Sequence, residues 1–292
     1  MKKTLLIGAA IIVTLTSCER ISYNPDQYLF RTSNGIKYKY SDFELYDSST
    51  HILYLKSKHP EFKSEKPTTF SLLANGEEIY TGVFWSTYSS SLPIGPYISS
   101  FSSFYPDFTI RIEHMIIDNK PKDPRNDPRI ISALKDHNLL HSGLSVLINS
   151  IDIVGTELTF KFTVTNLDES NLLILDPDKT GPKLFHYFTN GLRICELTYE
   201  EVFAAHIVPE APSPRDSWER DWLSELKPGE SRQFTIIYAI NSGITPGEYY
   251  AMFEFPGLTH GVTKKQLFQD DARIWLGDIF ITQEITFPIV PL

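Results

Sequence analysis

The chain of 292 residues has two cysteines, three methionines and one long apolar run. Two cysteines exclude the disulfide frameworks that hold small secreted domains together. One apolar run, at the N-terminal end, excludes a polytopic helical membrane protein. The 15 glycines and 19 prolines follow no short period, which excludes collagen-like repeats. Basic side chains number 27 against 36 acidic ones, a net charge of −9, so nucleic acid and anionic membrane surfaces are poor electrostatic partners. The sequence has no P-loop, no G-x-G-x-x-G and no G-x-S-x-G elbow. Apolar material is plentiful. Hydrophobic residues make 41% and aromatics 13% of the chain, enough to build a sizeable core, so wholesale disorder is excluded too.

The beginning has the layout of a secretory signal. Met1-Lys2-Lys3 supplies the charge, Leu5 to Leu15 the short apolar stretch, and Thr16-Ser17 the small residues before Cys18. The stretch is about half of the roughly 20 residues that span a bilayer. The tetrad Leu15-Thr16-Ser17-Cys18 resembles the lipobox of bacterial lipoproteins. That resemblance implies removal of residues 1–17 and lipidation of Cys18. It further implies residence in the bacterial cell envelope, at the outer membrane, with the membrane as a partner through the acyl chains. Several chains on one residue anchor stably where a single chain is marginal. Loss of Lys2 and Lys3 leaves 27 − 2 = 25 basic residues against 36 acidic, a balance of −11. Cys195, in the strand-like Leu192-Arg193-Ile194-Cys195, then remains as a buried, inert thiol.

Residues 18–35 are polar, broken by Pro25 and Asn34-Gly35, and read as a tether. From 36 to 119 the pattern has period two: Ile36 to Tyr40, Phe43 to Tyr46, less cleanly His51 to Leu55, and Phe108 to Glu113. Asn75-Gly76 between two apolar runs marks a hairpin. Residues 120–143 form a charged, proline-rich linker and one helix. Asp127-Pro128 starts that helix, Ile130, Leu134, His137 and His141 share a face, and Gly143 ends it. Strands resume at Leu144 and continue through 292, with helical signals at Thr198-Tyr199-Glu200-Glu201 and around Trp218 and Trp222. Phe185 to Ile194 reads as a hairpin about Asn190-Gly191.

Three features of this second half carry a resemblance to immunoglobulin-like sandwiches. They are the alternation Leu158 to Asn166, the turn Leu226-Lys227-Pro228-Gly229-Glu230, and Pro246-Gly247-Glu248-Tyr249, the last two each before a strand. Such modules occur in many bacterial envelope proteins, including a small family named as proteinase inhibitors. The cysteine pair and strand-C tryptophan of true immunoglobulin domains are missing, so the resemblance implies a fold and no functional residues. The expected architecture is all-β. Two antiparallel β-sandwich domains, 36–119 and 144–292, are joined by a short helix and preceded by a lipoprotein signal peptide.

Chemical constellations are sparse. His137 and His141 have the i, i+4 spacing of two metal ligands, but Asn138 stands where a zincin has glutamate. Asp176-Pro177-Asp178-Lys179-Thr180-Gly181 opens like a calcium loop, yet Tyr187 occupies the bidentate position. The adjacent acids Glu200-Glu201 and Asp270-Asp271 face apart. No metal, cofactor or catalytic residue is expected. The unusual segment runs from Val83 to Phe108, rich in aromatics, serine and proline. Trp85, Tyr88, Tyr97 and Tyr105 there, with Trp218 and Trp222 further on, are the candidate ligand-binding residues, because exposed rings stack on sugars or protein partners. The expected role is non-enzymatic binding or structural interaction by a lipid-anchored envelope protein, with a glycan or an envelope protein as partner. A surface glycan-binding lipoprotein and a hydrolase with an interdomain carboxylate site are the alternatives.

Overall fold

The computed structural model describes residues 27–59, 69–86, 88–99, 105–115, 123–189, 191–204, 207–215, 217–240, 244–269 and 271–287. The first half holds β1 (Tyr28–Thr32), β2 (Lys37–Lys39), β3 (Phe43–Asp47), β4 (Ile52–Leu55), β5 (Thr69–Ala74), β6 (Glu77–Trp85), β7 (Gly95–Ser99), β8 (Thr109–Arg111) and β9 (Glu113–Met115). Helix α1 (Pro128–Asp136) and β10 (Leu140–His141) follow. Two sheets result, a six-stranded one in the order β2-β1-β5-β6-β7-β9 and a four-stranded one in the order β10-β3-β4-β8. Asn75 and Gly76 both take positive φ, 51° and 85°, as the tight turn joining β5 and β6 requires.

The second half adds β11 (Leu144–Val154), β12 (Glu157–Asn166), β13 (Asn171–Leu175), α2 (Pro177–Tyr187), β14 (Leu192–Glu196), β15 (Glu201–Ala204), β16 (Leu223–Leu226), β17 (Ser231–Ala239), β18 (Gly247–Pro256), α3 (Lys264–Leu267), β19 (Phe268–Gln269), β20 (Ala272–Ile274) and β21 (Asp278–Phe287). Its sheets are β11-β12-β17, β16-β13-β20-β19 and β15-β14-β18-β21. The chain is thus all-β in class, built of sandwiched sheets. Alternation decides which faces meet. Leu158, Phe160, Phe162 and Val164 of β12 are fully buried, while the residues between them are half-exposed. Phe160 and Phe162 meet Phe253 of β18 at ring distances of 4.8 and 4.9 Å.

The halves share a wall. All four residues of β4 are buried. Ile52 and Tyr54 point into the core of the second half, Leu53 and Leu55 into that of the first. A strand covered on both faces reads as a continuous apolar run rather than an alternation, which explains the irregular pattern of Ile52-Leu53-Tyr54-Leu55. Neighbouring β3 does the same with Leu45 and Tyr46.

Several local expectations are corrected. Strand β1 falls inside the segment read as a tether: its apolar Leu29 and Phe30 are buried between β2 and β5. Helix α1 stops at Asp136, because Asn138 takes a φ of +53° just beyond the C-cap. His137 therefore stacks on Tyr40 at 3.7 Å, and His141 lies on β10, off the helix altogether. Asp176 is a helix cap: its side chain accepts from the Asp178 amide at 2.9 Å and Pro177 takes the first helical position. The helical segment so started is broken at Gly181, at φ +70° and ψ 162°, and resumes after it to Tyr187, replacing the first arm of the hairpin expected at 185–194. Tyr199 adopts a φ of +67° and Glu196 N–H donates to Glu200 C=O at 2.8 Å, so the chain turns back as β15 where a helix was expected. Around the tryptophans only a single 3-10 turn forms, Arg220–Trp222.

Candidate functional site

Strands β6, β7 and β9 build the site on the outward face of the six-stranded sheet. Tyr80 and Gly82 of β6, and Pro96 and Ile98 of β7, are buried, so Trp85, Tyr97 and Glu113 face outward. Tyr97 is the register partner of Glu113. The rings of Trp85 and Tyr97 meet at 5.7 Å with an interplanar angle of 73°, and the Tyr97 hydroxyl is hydrogen-bonded to the Glu113 carboxylate. β7 pairs with β6 in parallel, so the connection 86–94 must return along the sheet. Trp85 Nε1–H pins that return by donating to Ser91 C=O at 2.8 Å. The connection leaves Tyr88, Leu92 and Ile94 exposed by 87, 63 and 84%.

The row continues to the joint between the halves. Glu113 Oε1 lies 3.9 Å from Arg111 Nε. Arg111 reaches across to Asp278 of β21 with both terminal nitrogens, at 2.5 and 2.6 Å. Tyr105 completes the group: Arg111 Nη1–H donates to its hydroxyl, and the guanidinium sits 5.3 Å from its ring centre. Burial, opposed by Arg111 and aided by Asp278, raises the Glu113 carboxyl above the usual carboxylate range. Burial and then the Glu113 charge push the Tyr97 phenol up to about 12. Arg111 and Asp278 thus form a bidentate pair, and Glu113, beside Tyr97, keeps only the longer contact with Arg111.

Deeper in the joint, Arg273 of β20 is fully buried. Its Nη2–H group donates to Asp47 Oδ2 at 2.9 Å and Asp168 Oδ2 at 3.0 Å, and its guanidinium lies 5.6 Å from the Tyr54 ring centre. His141 Nδ1 is 2.9 Å from Asp168 Oδ1. Arg273, Asp47 and Asp168 are closed to solvent and tie the halves together, with His141 partly exposed at their edge. A cleft of about 570 Å³ opens nearby between Lys56–Lys58 and Gly261–Lys264, floored by Phe108. Two of its lysines are engaged, Lys58 by Asp107 at 2.6 Å and Lys264 by Glu44 at 3.0 Å.

The six aromatics singled out from sequence therefore divide. Trp85 and Tyr97 meet, and Tyr88 stands on the connection beside them. Tyr105 belongs to the joint. Trp218 and Trp222 pack against the second core, with Trp218 Nε1–H donating to Gly261 C=O at 3.0 Å and Trp222 6.3 Å from Phe188. Cys18 lies outside the described residues. Sequence reasoning missed Arg111, Glu113 and Asp278. Arg111 and Glu113 stand in an alternation that signalled only a strand, and Asp278 is 167 positions from Arg111. Among the described residues, no group of three His, Cys, Asp or Glu side chains could hold a metal ion, and no helix is long and apolar enough to cross a membrane.

No family model matches the chain, and no curated protein matches it. One solved structure found to be similar is described as the X-ray structure of Northeast Structural Genomics Consortium target SoR45. It is 15% identical over 51% of this chain and 86% of that one, with a TM-score of 0.21.

Proposed function

We propose that this chain is a lipid-anchored protein of the bacterial cell envelope, at the outer membrane, with a non-enzymatic binding role exercised through the outward face of its six-stranded sheet. The observation that carries the reading is the row Trp85–Tyr97–Glu113, with exposed Tyr88, Leu92 and Ile94 beside it. A row of rings and exposed aliphatic side chains around a carboxylate has the composition of a recognition surface. The placement of the tether agrees. Thr32, at the end of β1, pairs with Phe70, and Phe70 with Gly82, so Tyr28 and Trp85 lie at opposite ends of the sheet. The ten residues from Cys18 to Gln27 reach at most about 35 Å, and they would join the fold at the end away from Trp85. Asp278, the carboxylate contributed by the second half, has both oxygens bound by Arg111, which favours a structural role for it over acid–base chemistry.

The test combines fractionation with crosslinking in cells. The wild-type chain is expected in the membrane fraction and Cys18→Ala in the soluble fraction. A photoreactive residue at Tyr88 is expected to give a discrete crosslinked product that Trp85→Ser abolishes at unchanged thermal midpoint. Retention of Cys18→Ala in membranes would remove the anchor. An unchanged crosslink in folded Trp85→Ser would remove the binding face. A glycan-binding role is the second reading, favoured by the exposure of Tyr88 and the half-exposed Trp85 ring, since flat rings stack on sugars. It expects oligosaccharide binding that Trp85→Ala abolishes without loss of stability.

A further inference from the structure

We infer that β21 is a pairing edge for a second copy of this chain, joining two molecules antiparallel about a two-fold axis at Gln283. Among the described residues the five sheets present ten edge strands, and an open edge invites a further strand unless it is blunted. Seven of the ten have only two to four residues: β2, β8, β9, β10, β15, β16 and β19. β17 is covered. Its Arg232 reaches Asp176 at 3.2 Å and Glu225 C=O at 3.3 Å, and its Tyr238 lies 5.5 Å from the His186 ring of α2. β11 carries a bulge between Ile148 and Ser150. β21 has none of these devices. Its ten residues keep one unbroken register with β18, and no other described strand pairs with it. They include no proline and no basic residue. Ile281, Ile285 and Phe287 stay only partly buried at the rim of the second core, where another strand would cover them.

The strand's own sequence names the occupant. Phe280, Thr282, Glu284 and Thr286 are exposed, and the residues between them face the core. A slip of one position would set core-facing side chains against solvent-facing ones, so a two-fold axis must pass at a residue rather than between two. At Gln283 the facing pairs are Ile281 with Ile285, Ile279 with Phe287, Phe280 with Thr286 and Thr282 with Glu284. Apolar side chains then meet on the core face, and the carboxylate of Glu284 meets a hydroxyl. Centring on Glu284 would put two like charges directly opposite. Centring on Thr282 would set Gln283 against Ile281 and Glu284 against Phe280. Asp278, the other acid of the strand, is already held by Arg111. One self-complementary register is the requirement of an isologous interface, and it favours a second copy over an unrelated strand.

Facing residues in an antiparallel pair have Cα atoms about 4.5–5.5 Å apart, within disulfide reach. In cells expressing the full chain and treated with a mild thiol oxidant, Gln283→Cys should give a disulfide-linked dimer. Phe280→Cys and Thr286→Cys should each stay monomeric alone, because their self-pairs lie about 20 Å apart, yet should link to each other when co-expressed. The wild type, whose Cys195 is buried, should not link. In sedimentation of the purified full chain, Thr282→Glu should weaken self-association about threefold to tenfold, since two like-charge pairs form per dimer. Thr282→Lys should strengthen it by a similar factor. Thr282 is exposed, so both variants should keep the wild-type circular dichroism. A folded Gln283→Cys that stays monomeric under oxidation would overturn the inference. So would a crosslinked product containing a different protein, or Thr286→Cys linking to itself as readily as Gln283→Cys. Equal self-association of the wild type, Thr282→Glu and Thr282→Lys would overturn it too.

Discussion

Arg273→Met removes a cation shared by two buried carboxylates, one from each half of the molecule. Asp47 is 0% exposed and Asp168 3%. Each takes a hydrogen bond from the same Nη2, at 2.9 and 3.0 Å. Without Arg273, Asp47 keeps the amide and hydroxyl of Ser49, and Asp168 keeps His141 and Ser170. Those contacts are dipolar or conditional on protonation, so two negative charges stay buried without a permanent counter-ion. Removing one partner from a buried ion pair costs about 3–5 kcal/mol, a large share of the stability of an ordinary domain. Urea unfolding of the full chain at pH 7, followed by circular dichroism, should show that loss.

The same geometry predicts a rescue. Nε and Nη1 of Arg273 are buried without a hydrogen-bond partner among the described residues, so the triad is incompletely satisfied there and its net contribution is small compared with the cost of breaking it. The triple variant Asp47→Asn, Asp168→Asn, Arg273→Met removes all three charges and leaves amide oxygens to accept from Ser49 and Ser170. It should regain most of what the single variant loses. Acid should narrow the gap as well. Burial raises the Asp168 carboxyl, but the hydrogen bond from His141 and the charge of Arg273 outweigh it and hold the group far below the usual carboxylate range. In the wild type the stabilisation from this group is present above the unfolded value near 3.9 and is lost only in strong acid. In Arg273→Met the carboxylates protonate more readily, so the variant gains relative to the wild type as pH falls. A single-variant cost below about 1 kcal/mol, or a triple variant as unstable as the single one, would refute the reasoning.

Two further outcomes are expected. Burial alone pushes the His186 imidazole down from 6.5 to about 4. The unfolded chain binds a proton there below pH 6.5 and the folded chain does not, so stability declines between those values by roughly 3 kcal/mol. Urea midpoints at pH 7 and pH 4 should differ less in His186→Leu than in wild type, and an equal dependence in both would count against the assignment. Gly143→Ala forces a left-handed φ of +68° on alanine and brings its Cβ to 2.2 Å from Ser49 Oγ and 2.3 Å from Asp47 Oδ1. It should cost about 2–4 kcal/mol in the same assay, whereas Gly155→Ala, at φ +61° with open space around the Cβ, should cost only the backbone strain.

How much of this was legible depended on how far apart the interacting residues stand. Alternation along Leu158 to Asn166 identified β12 and its buried face, because register on one face is a local property. Asn75-Gly76 identified its hairpin for the same reason. Asp127-Pro128 and Asp176-Pro177 carry one capping chemistry, yet only the first was read as a helix start. The proline between the acids at 176 and 178 fits a turn in sequence, and the glycine at 181, at φ +70° inside α2, breaks the helical signal. The aromatic density of 84–108 drew attention to Trp85 and Tyr97, but only the β7–β9 register placed Glu113 beside Tyr97. The joint could not be read in this way, since Asp47 and Arg273 are separated by 226 positions.

The joint and the aromatic row are nevertheless connected by physics. Arg111 lies between them, bound to Asp278 of the second half and facing Glu113 of the first. Its terminal nitrogens hold both oxygens of Asp278 at 2.5 and 2.6 Å, and its Nε keeps a longer contact of 3.9 Å with Glu113 Oε1. The shared wall of β3 and β4, buried on both faces, keeps the two halves in the register that this bridge needs. The second half thus fixes the position of a guanidinium carried by the first, which gives a physical reason for the two halves to share a wall rather than hang on a linker.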